Sequence, residues 1–518
     1  MSPIRWTHGT PQLGREIEAA LAGSAERLRD DAFRSVCVLR GMRGPILVKQ
    51  FRVGSGRHPL RERCKACVGR APAQREWRAL VALHAAGLRV PEPLALGTLP
   101  DGDAVLAMEW VDGTPLAAAL RDAPPARRAI LRSLGEALAR LHRTGWVHGD
   151  LHAGNVLITA RGPVLLDWQR ARRSGARSAR RRDLAFLEYS LAGLTSRADR
   201  LRIRHARLGV SPPLDDDGRH ELRAAGDAAE RRAREHARSR SRRSLREGRR
   251  YARIALDGAR GMRLREIEPA ALAALLAQHR GALLARDARL LASGPRASIS
   301  AVAAEGLRGV VKESPWRGLA RALADALRGS AGRRAWLAAH GLAARRIGAA
   351  RPLAFLERRR LGIPVASWIV LEDLRPAAPA AFALERGEAG AGEVLGALAR
   401  LLVVLHRGGV DHGDLKATNV LLRRAGERLE PALVDLEAVR FRRRLGDARR
   451  LAALAELNAS LPDAFPADAR CAAFERYARA LPFAAGPARA LAELVDASLA
   501  RQHRWTGADC DLVRRRAD

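Results

Sequence analysis

The chain has 518 residues, 47% of them hydrophobic, with 92 Lys+Arg against 56 Asp+Glu and a formal net charge of +36. That length calls for two to four domains of roughly 100–200 residues, with apolar material enough for real cores, and excludes a wholly disordered chain. Five cysteines exclude a disulfide framework, and no run approaches the ~18 apolar residues of a membrane span. The opening MSPIRWTHGTPQLG lacks the apolar stretch of a secretory signal, so a reducing cytoplasm is expected. Only four basic residues are lysine (Lys49, Lys65, Lys312, Lys416). A chain that has drifted from lysine to arginine carries part of its charge as compositional background. A nucleic-acid partner is therefore not read from charge alone, least of all with 4% aromatics. A retained lysine, in contrast, marks a place where a compact, strongly hydrated cation is needed.

In chain order, β-rich runs at Phe33–Leu39 and Pro45–Phe51, joined by a Gly-containing turn, predict an antiparallel hairpin. A helical pattern follows at Gln74–Ala86, then an apolar strand ending in acid, Ala104–Trp110, then a longer helix over Arg127–His142. That helix leads into Trp146-Val-His-Gly-Asp-Leu-His-Ala-Gly-Asn-Val-Leu157, and a short strand ends at Asp167. After a mostly helical stretch, Arg231–Arg250 holds ten arginines in twenty residues and reads as a solvated helix or linker.

The order then repeats. Strands are expected at Ser298–Ala304 and Gly309–Glu313, helices at Ala331–Ala344 and Gly392–His406, and an acid-ended strand at Ser367–Glu372. Val410-Asp-His-Gly-Asp-Leu-Lys-Ala-Thr-Asn-Val-Leu421 echoes the first loop, with His412 264 residues after His148, and Lys312 follows Lys49 by 263. Arg75-Glu-Trp77 and Arg334-Ala-Trp336 match at an offset of 259, and Leu433-Val-Asp435 echoes Leu165-Leu-Asp167. Four matched blocks in one order mean a tandem duplication rather than a solenoid. Each copy is a small strand-rich lobe followed by a mainly helical lobe. The fold class is α+β, with domains expected at 1–240 and 241–518.

The repeated blocks carry chemistry. An Asp followed five residues later by an Asn on a loop, as in Asp150/Asn155 and Asp414/Asn419, suits phosphoryl transfer. The Asp orients or deprotonates a hydroxyl, and the Asn oxygen holds Mg²⁺. Asp167 and Asp435, at strand ends, can bridge that metal to nucleotide phosphates. Lys49 and Lys312, on early strands, would hold the α/β-phosphates, and Lys416 lies two residues after Asp414.

These residues resemble the protein-kinase-like superfamily in its bacterial small-molecule branch. The resemblance is closest to the lipopolysaccharide core kinases, which phosphorylate heptose or Kdo sugars. It rests on VHGDLHAGN…LLDW and DHGDLKATN…LVDLEAVRF, on REW…PEPLALG and RAW…ARPLAFLE, and on the run LAALAELNASL from Leu451 to Leu461. The resemblance implies ATP, Mg²⁺ and an anionic sugar or glycolipid acceptor. It implies a hinge where the backbone of Glu109–Val111, or of Glu372–Leu374, meets adenine, with Asp112 and Gly113 beyond it. Glu76 is the expected partner of Lys49. At the matched position the second copy has Ala335, so Lys312 lacks its partner unless Glu313 or Asp325 substitutes.

Other departures matter. The glycine-rich phosphate loop is poor: Gly294-Pro-Arg in the second copy, nothing clear before Phe33 in the first. HGD replaces HRD, which disfavours switching by a phosphorylated activation loop, and no APE-like sequence follows either metal Asp. Arg170–Arg182 holds seven arginines in thirteen residues and Arg440–Arg450 six in eleven. The functional reading is a grip on acceptor phosphates, above all by Arg180, Arg181 and Arg182, and the plainer one is basic surface. Cys64-Lys-Ala-Cys67 is a lone pair, His148 and His412 read as loop supports, and Trp77 and Trp336 as core. The leading expectation is a cytoplasmic kinase that visits the inner face of the inner membrane through its arginines. An ATP-binding scaffold with an inactive second copy and a kinase for another small molecule, such as an aminoglycoside, are the competing readings.

Overall fold

The computed structural model describes residues 4–22, 25–31, 33–41, 44–52, 71–122, 125–209, 214–387 and 389–501. Cys64, Lys65 and Cys67 lie outside them. The chain divides into two compact units, 1–233 and 234–518.

The first unit opens with β1 (Arg5–His8), α1 (Pro11–Ala22), β2 (Glu26–Asp30), β3 (Arg34–Gly41) and β4 (Gly44–Phe51). Next come α2 (Pro72–Ala85), β5 (Pro93–Thr98) and β6 (Ala104–Glu109). The six strands form one antiparallel sheet in the order β1-β5-β6-β4-β3-β2. Strand alternation assigns its faces. Ile46 and Val48 of β4, with Val105 and Ala107 of β6, pack with Leu13 and Ile17 of α1. Phe51, Leu106 and Met108 join Leu80 and Leu83 of α2 in the core that continues into the helical lobe. Lys49, between Val48 and Gln50 and paired with Leu106, therefore faces α2 and not α1.

The helical lobe holds β7 (Thr114–Pro115), α3 (Leu116–Asp122), α4 (Arg127–Arg143), β8 (Trp146–Val147), β9 (Val156–Thr159), β10 (Gly162–Leu165) and β11 (Arg172–Arg173). It continues with α5 (Arg177–Leu191), α6 (Arg197–Leu208) and α7 (Asp216–Arg243). Helix α4 buries Leu131, Leu134, Leu138 and Leu141, a 3–4 spacing that lays one apolar stripe against the core.

The second unit repeats this plan. It comprises β12 (Tyr251–Leu256), β13 (Ala259–Leu264), α8 (Pro269–Ala285), β14 (Leu290–Ser293), β15 (Ser298–Ala304), β16 (Leu307–Ser314), α9 (Leu319–Arg328), α10 (Ala331–Ala343), β17 (Pro352–Arg360) and β18 (Ile363–Glu372). The sheet order is β12-β13-β17-β18-β16-β15-β14, and Lys312 pairs with Ile369 as Lys49 does with Leu106. The helical lobe has β19 (Ala378–Pro379), α11 (Ala391–Arg407), β20 (Val410–Asp411), β21 (Val420–Ala425), β22 (Arg428–Leu433), β23 (Arg440–Phe441), α12 (Asp447–Ser460), α13 (Ala467–Ala480) and α14 (Pro487–Leu499). Strands β13 to β23 answer β1 to β11 one for one, and among the described residues β12 has no counterpart in the first unit. Both units are bilobal and protein-kinase-like.

The leading elements of both small lobes were not in the sequence reading. β1, β2 and α1, with α8 and β12–β14, precede the expected first strands. β2, Glu-Arg-Leu-Arg-Asp, is exposed throughout and lies at the sheet edge, where charge protects against edge pairing and erases the alternation signal. The arginine-rich stretch from Arg231, expected as a solvated helix or linker, begins as the end of the 28-residue helix α7.

Trp336 of α10 is fully buried, meets Phe355 with centroids 5.6 Å apart and donates its indole N–H to Ser244 O at 3.3 Å. Trp336→Ala is expected to cost about 3–5 kcal/mol, read as an earlier chemical-denaturation transition. Burial also pushes His340 and His406 down to about 4. An unfolded histidine binds its proton near pH 6.5, so the folded state loses ground as pH falls from about 6.5 to 4. Each group should cost about 2 kcal/mol between pH 7 and pH 5. Burial lowers His142, His148 and His412 in the same direction. Urea titrations at the two pH values should show lower stability at pH 5, and a smaller drop in His406→Gln.

Candidate active site

In the first unit one carboxylate oxygen joins three elements. Glu76 Oε1 on α2 accepts from Lys49 Nζ of β4 at 2.6 Å and from the backbone N–H of Trp168 at 3.3 Å. Trp168 follows Asp167, so the helix, the lysine strand and the metal-Asp segment meet on one atom. Glu76 is 0% exposed, and its Oε2 has no partner among the described residues. A buried Lys–Glu pair this short stands only because each charge satisfies the other; removing one leaves an unpaired buried ion.

The catalytic loop is built from below. His148 Nε2 bonds Leu166 O at 2.9 Å, tying the loop to the residue before Asp167. Burial lowers its pKa, so the ring is neutral. Asp183 of α5, buried, accepts from the N–H groups of His148 at 2.6 Å and Gly149 at 2.8 Å. Gly149 has φ +77°, and a Cβ there would lie 2.4 Å from Arg170 O. Gly413 matches, with φ +78° and Ala438 O at 2.8 Å. Both conditions demand glycine, which is the physical reason for HGD. Asn155 donates Nδ2 to Asp150 O at 3.1 Å, as Asn419 does to Asp414 O at 2.9 Å. With the amide nitrogen so engaged, the Asn oxygen remains as a hard ligand.

Asp167 and Asp435 both sit at positive φ, +63° and +54°. A non-glycine residue in this left-handed region costs on the order of 1–3 kcal/mol and persists where surrounding structure enforces it. An Asn oxygen and a carboxylate oxygen are the donors Mg²⁺ prefers alongside water and phosphate. Among the described residues no group of three or more His, Cys, Asp or Glu is placed to hold a metal ion. The donor set fits Mg²⁺.

At the hinge, Glu109 and Glu372 act alike. Glu109 N–H donates to Glu92 O at 2.9 Å, and its carboxylate accepts from Glu92 N–H at 3.2 Å. Glu372 does the same with Arg351, at 2.8 Å in both directions. Both side chains brace the hinge backbone. Trp110, the first residue after β6, donates backward to Pro45 O, and its indole to Asp112 at 2.8 Å. In the second unit Leu374 O already accepts from Ala377 N–H at 2.9 Å.

The two units neutralise their carboxylates differently. In the first, Arg34 lies 3.5 Å from Asp167 and Arg170 lies 3.7 Å from Asp150. In the second, Lys312 binds Asp435 at 2.5 Å, and Lys416 binds Asp414 at 2.8 Å and is raised in pKa by that bond. Neither expected substitute serves Lys312. Glu313 alternates to the other sheet face and meets His279 at 3.2 Å, whereas Asp325 binds Arg334 at 2.7 Å. Glu437, two residues past Asp435, approaches Lys312 at 3.8 Å instead. Its place in DLEAVRF was the only sequence signal.

The arginine clusters divide. Arg181 is committed to Glu221 at 2.5 Å, and Arg207 also reaches Glu221 at 3.3 Å. Arg450 is buried on Asp447, Leu481 O and Pro482 O, and Arg442 and Arg449 hold Asp411. Arg181 is therefore a scaffold residue and not an acceptor grip. Arg170, beside Asp150, was not singled out within its run. Neither was Asp183, masked by the arginines before it. Asp183→Ala strands the buried N–H of His148, at roughly 1–3 kcal/mol, and frees the part-buried N–H of Gly149. Amide exchange at His148 and Gly149 should accelerate; unchanged exchange would refute the assignment.

The lipopolysaccharide kinase (Kdo/WaaP) family matches residues 29–206 and 307–477. The chain is 36% identical over 108 residues to a probable bifunctional tRNA threonylcarbamoyladenosine biosynthesis protein of Methanothermobacter thermautotrophicus, covering 21% of this chain and 19% of that protein. It is 29% identical over 132 residues to the EKC/KEOPS complex subunit bud32 of Emericella nidulans, covering 20% of this chain and 45% of that protein. The chain thus spans less than half the length of these two relatives. It is 31% identical over 188 residues to the 3-deoxy-D-manno-octulosonic acid kinase of Xylella fastidiosa, covering 35% of this chain and 75% of that kinase. A solved structure, WaaP in complex with acyl carrier protein, is covered over 98% of its chain and 44% of this one, at 21% identity and a TM-score of 0.34. With both family segments together spanning more than half of its length, the chain belongs to the lipopolysaccharide kinase (Kdo/WaaP) family.

Proposed function

We propose that this chain is an ATP- and Mg²⁺-dependent kinase for a sugar hydroxyl of a lipopolysaccharide-core-type acceptor, with the first unit as the productive copy. The observation that carries this reading is the shared oxygen of Glu76, which fixes Lys49 relative to the Asp167 segment. Lys49 would hold the α/β-phosphates, Asn155 and Asp167 would hold Mg²⁺, and the hinge backbone from Glu109 to Val111 would receive adenine. Asp150 takes the proton of the acceptor hydroxyl as that oxygen bonds the γ-phosphorus. The β–γ bridging bond breaks and ADP leaves. In the second unit Asp414, Asn419 and Asp435 have the corresponding roles. Lys416 faces the transferring group and Lys312 the phosphates, with adenine at Glu372–Leu374.

Phosphate contacts in the first unit come from side chains. No glycine stands between Asp30 and Arg34. The Asp31 carboxylate accepts the N–H groups of Phe33 at 2.9 Å and Arg34 at 3.0 Å, and these bonds hold it down at about 2. Backbone donors that a glycine loop would offer to phosphate are thus engaged by an anion of the chain itself. Arg34, 3.5 Å from Asp167, is the cation placed to reach a phosphate beside that carboxylate. Arg170 and Arg182 remain for acceptor phosphates.

The second unit supports a second reading as an ATP-binding scaffold, because Ala335 leaves Lys312 on the metal aspartate itself. Turnover of Asp150→Asn and Asp414→Asn separates the two. The first should abolish activity; activity intact in the first and lost in the second would reverse the ranking. Arg34→Ala should raise the ATP KM by roughly tenfold, the scale of one charge-assisted hydrogen bond, and leave the acceptor KM unchanged. Arg170→Gln with Arg182→Gln should do the reverse. Mass spectrometry of lipopolysaccharide from a deletion strain should show one phosphate lost, and an unchanged glycolipid would remove this acceptor.

A further inference from the structure

Helix α9 lies just before α10 in the second unit, and its outward face is apolar. Trp316, just before it, is 50% exposed, and Leu319, Leu323 and Leu327 are 60%, 49% and 91% exposed. With Ala320 and Ala326, also exposed, they recur at spacings of three and four and form one stripe along the helix. Ala322 is buried on the opposite side, toward β18. The single acidic residue, Asp325, is turned to Arg334 at 2.7 Å and Arg321 at 3.4 Å. Arg317 and Arg328 are exposed at the two ends.

From this arrangement we infer that Trp316 and α9 form an interfacial anchor that lies on an anionic lipid bilayer. An apolar stripe bounded by arginines, with an aromatic ring at one end, is the chemistry of a helix lying in the headgroup plane. Charge selects this occupant over a second copy of the chain. At +36, two chains repel, whereas anionic headgroups attract the basic ends. The anchor is distinct from the phosphate-transfer residues and stands whether or not the chain turns over ATP. It also changes what a salt wash should do. Attraction by arginines alone is screened over roughly 8 Å at physiological salt, but buried leucines are not.

Flotation of the full chain with vesicles tests this. Vesicles of phosphatidylcholine mixed with phosphatidylglycerol should carry the protein, pure phosphatidylcholine far less, and part should stay bound after a high-salt wash. Leu323→Asp with Leu327→Asp should lower the bound fraction by at least about tenfold, with Leu323→Ser and Leu327→Ser as a milder pair. These side chains are exposed, so the thermal melt should not move. Arg317→Gln with Arg328→Gln should weaken only the low-salt binding. The inference is overturned if wild type fails to bind anionic vesicles, or if both leucine pairs bind as wild type. It is equally overturned if the leucine variants change the oligomeric state and leave vesicle binding intact. Calorimetry with MgATP on the same variants keeps the kinase reading separate, because a chain that binds vesicles but no nucleotide sinks only that reading.

Discussion

A single oxygen of Glu76, accepting from Lys49 and from the backbone beside Asp167, couples the small lobe of the first unit to its helical lobe. The geometry follows from strand alternation, which turns Lys49 toward α2 while Ile46 and Val48 face α1. It also follows from the left-handed backbone of Asp167, which presents the next N–H to the same carboxylate. The lysine, the helix and the metal segment cannot be placed independently. Where the carboxylate is missing, the arrangement changes: Ala335 adds to the apolar core of the second unit, and Lys312 moves onto Asp435.

The two copies therefore keep one scaffold and supply charge from different positions. Arg34 and Arg170 face Asp167 and Asp150 in the first; Lys312 and Lys416 face Asp435 and Asp414 in the second. Equivalent electrostatics reached by different side chains mark positions where a cation is required but its point of attachment is free. The backbone features show the opposite pattern. Gly149 with Gly413 and Asp167 with Asp435 match in backbone conformation, and Asn155 with Asn419 in partner, because backbone approach and left-handed φ leave few alternatives.

The duplication, both lobes and the loop residues were legible because their signals are local: periodicity, a five-residue spacing, and lysines retained in an arginine-rich chain. What was hidden depends on distance or on composition. β2 carries charge on every outward position except Leu28 and shows no alternation. Asp183 reaches the catalytic loop from 35 residues away and follows three arginines that draw the eye. Arg181 and Arg450 look like free basic surface in sequence and are ion-paired supports in the fold. Arginine count alone cannot separate these, because the same side chain serves a buried carboxylate and an incoming phosphate equally well.

The central claim is that the Lys49–Glu76 pair makes the first unit the productive one. Glu76→Gln preserves shape and removes the charge that holds the lysine, so steady-state phosphoryl transfer by this variant tests the claim most directly. The account predicts a fall in kcat/KM for ATP of at least about tenfold, with the fold retained. Unchanged phosphoryl transfer would contradict it.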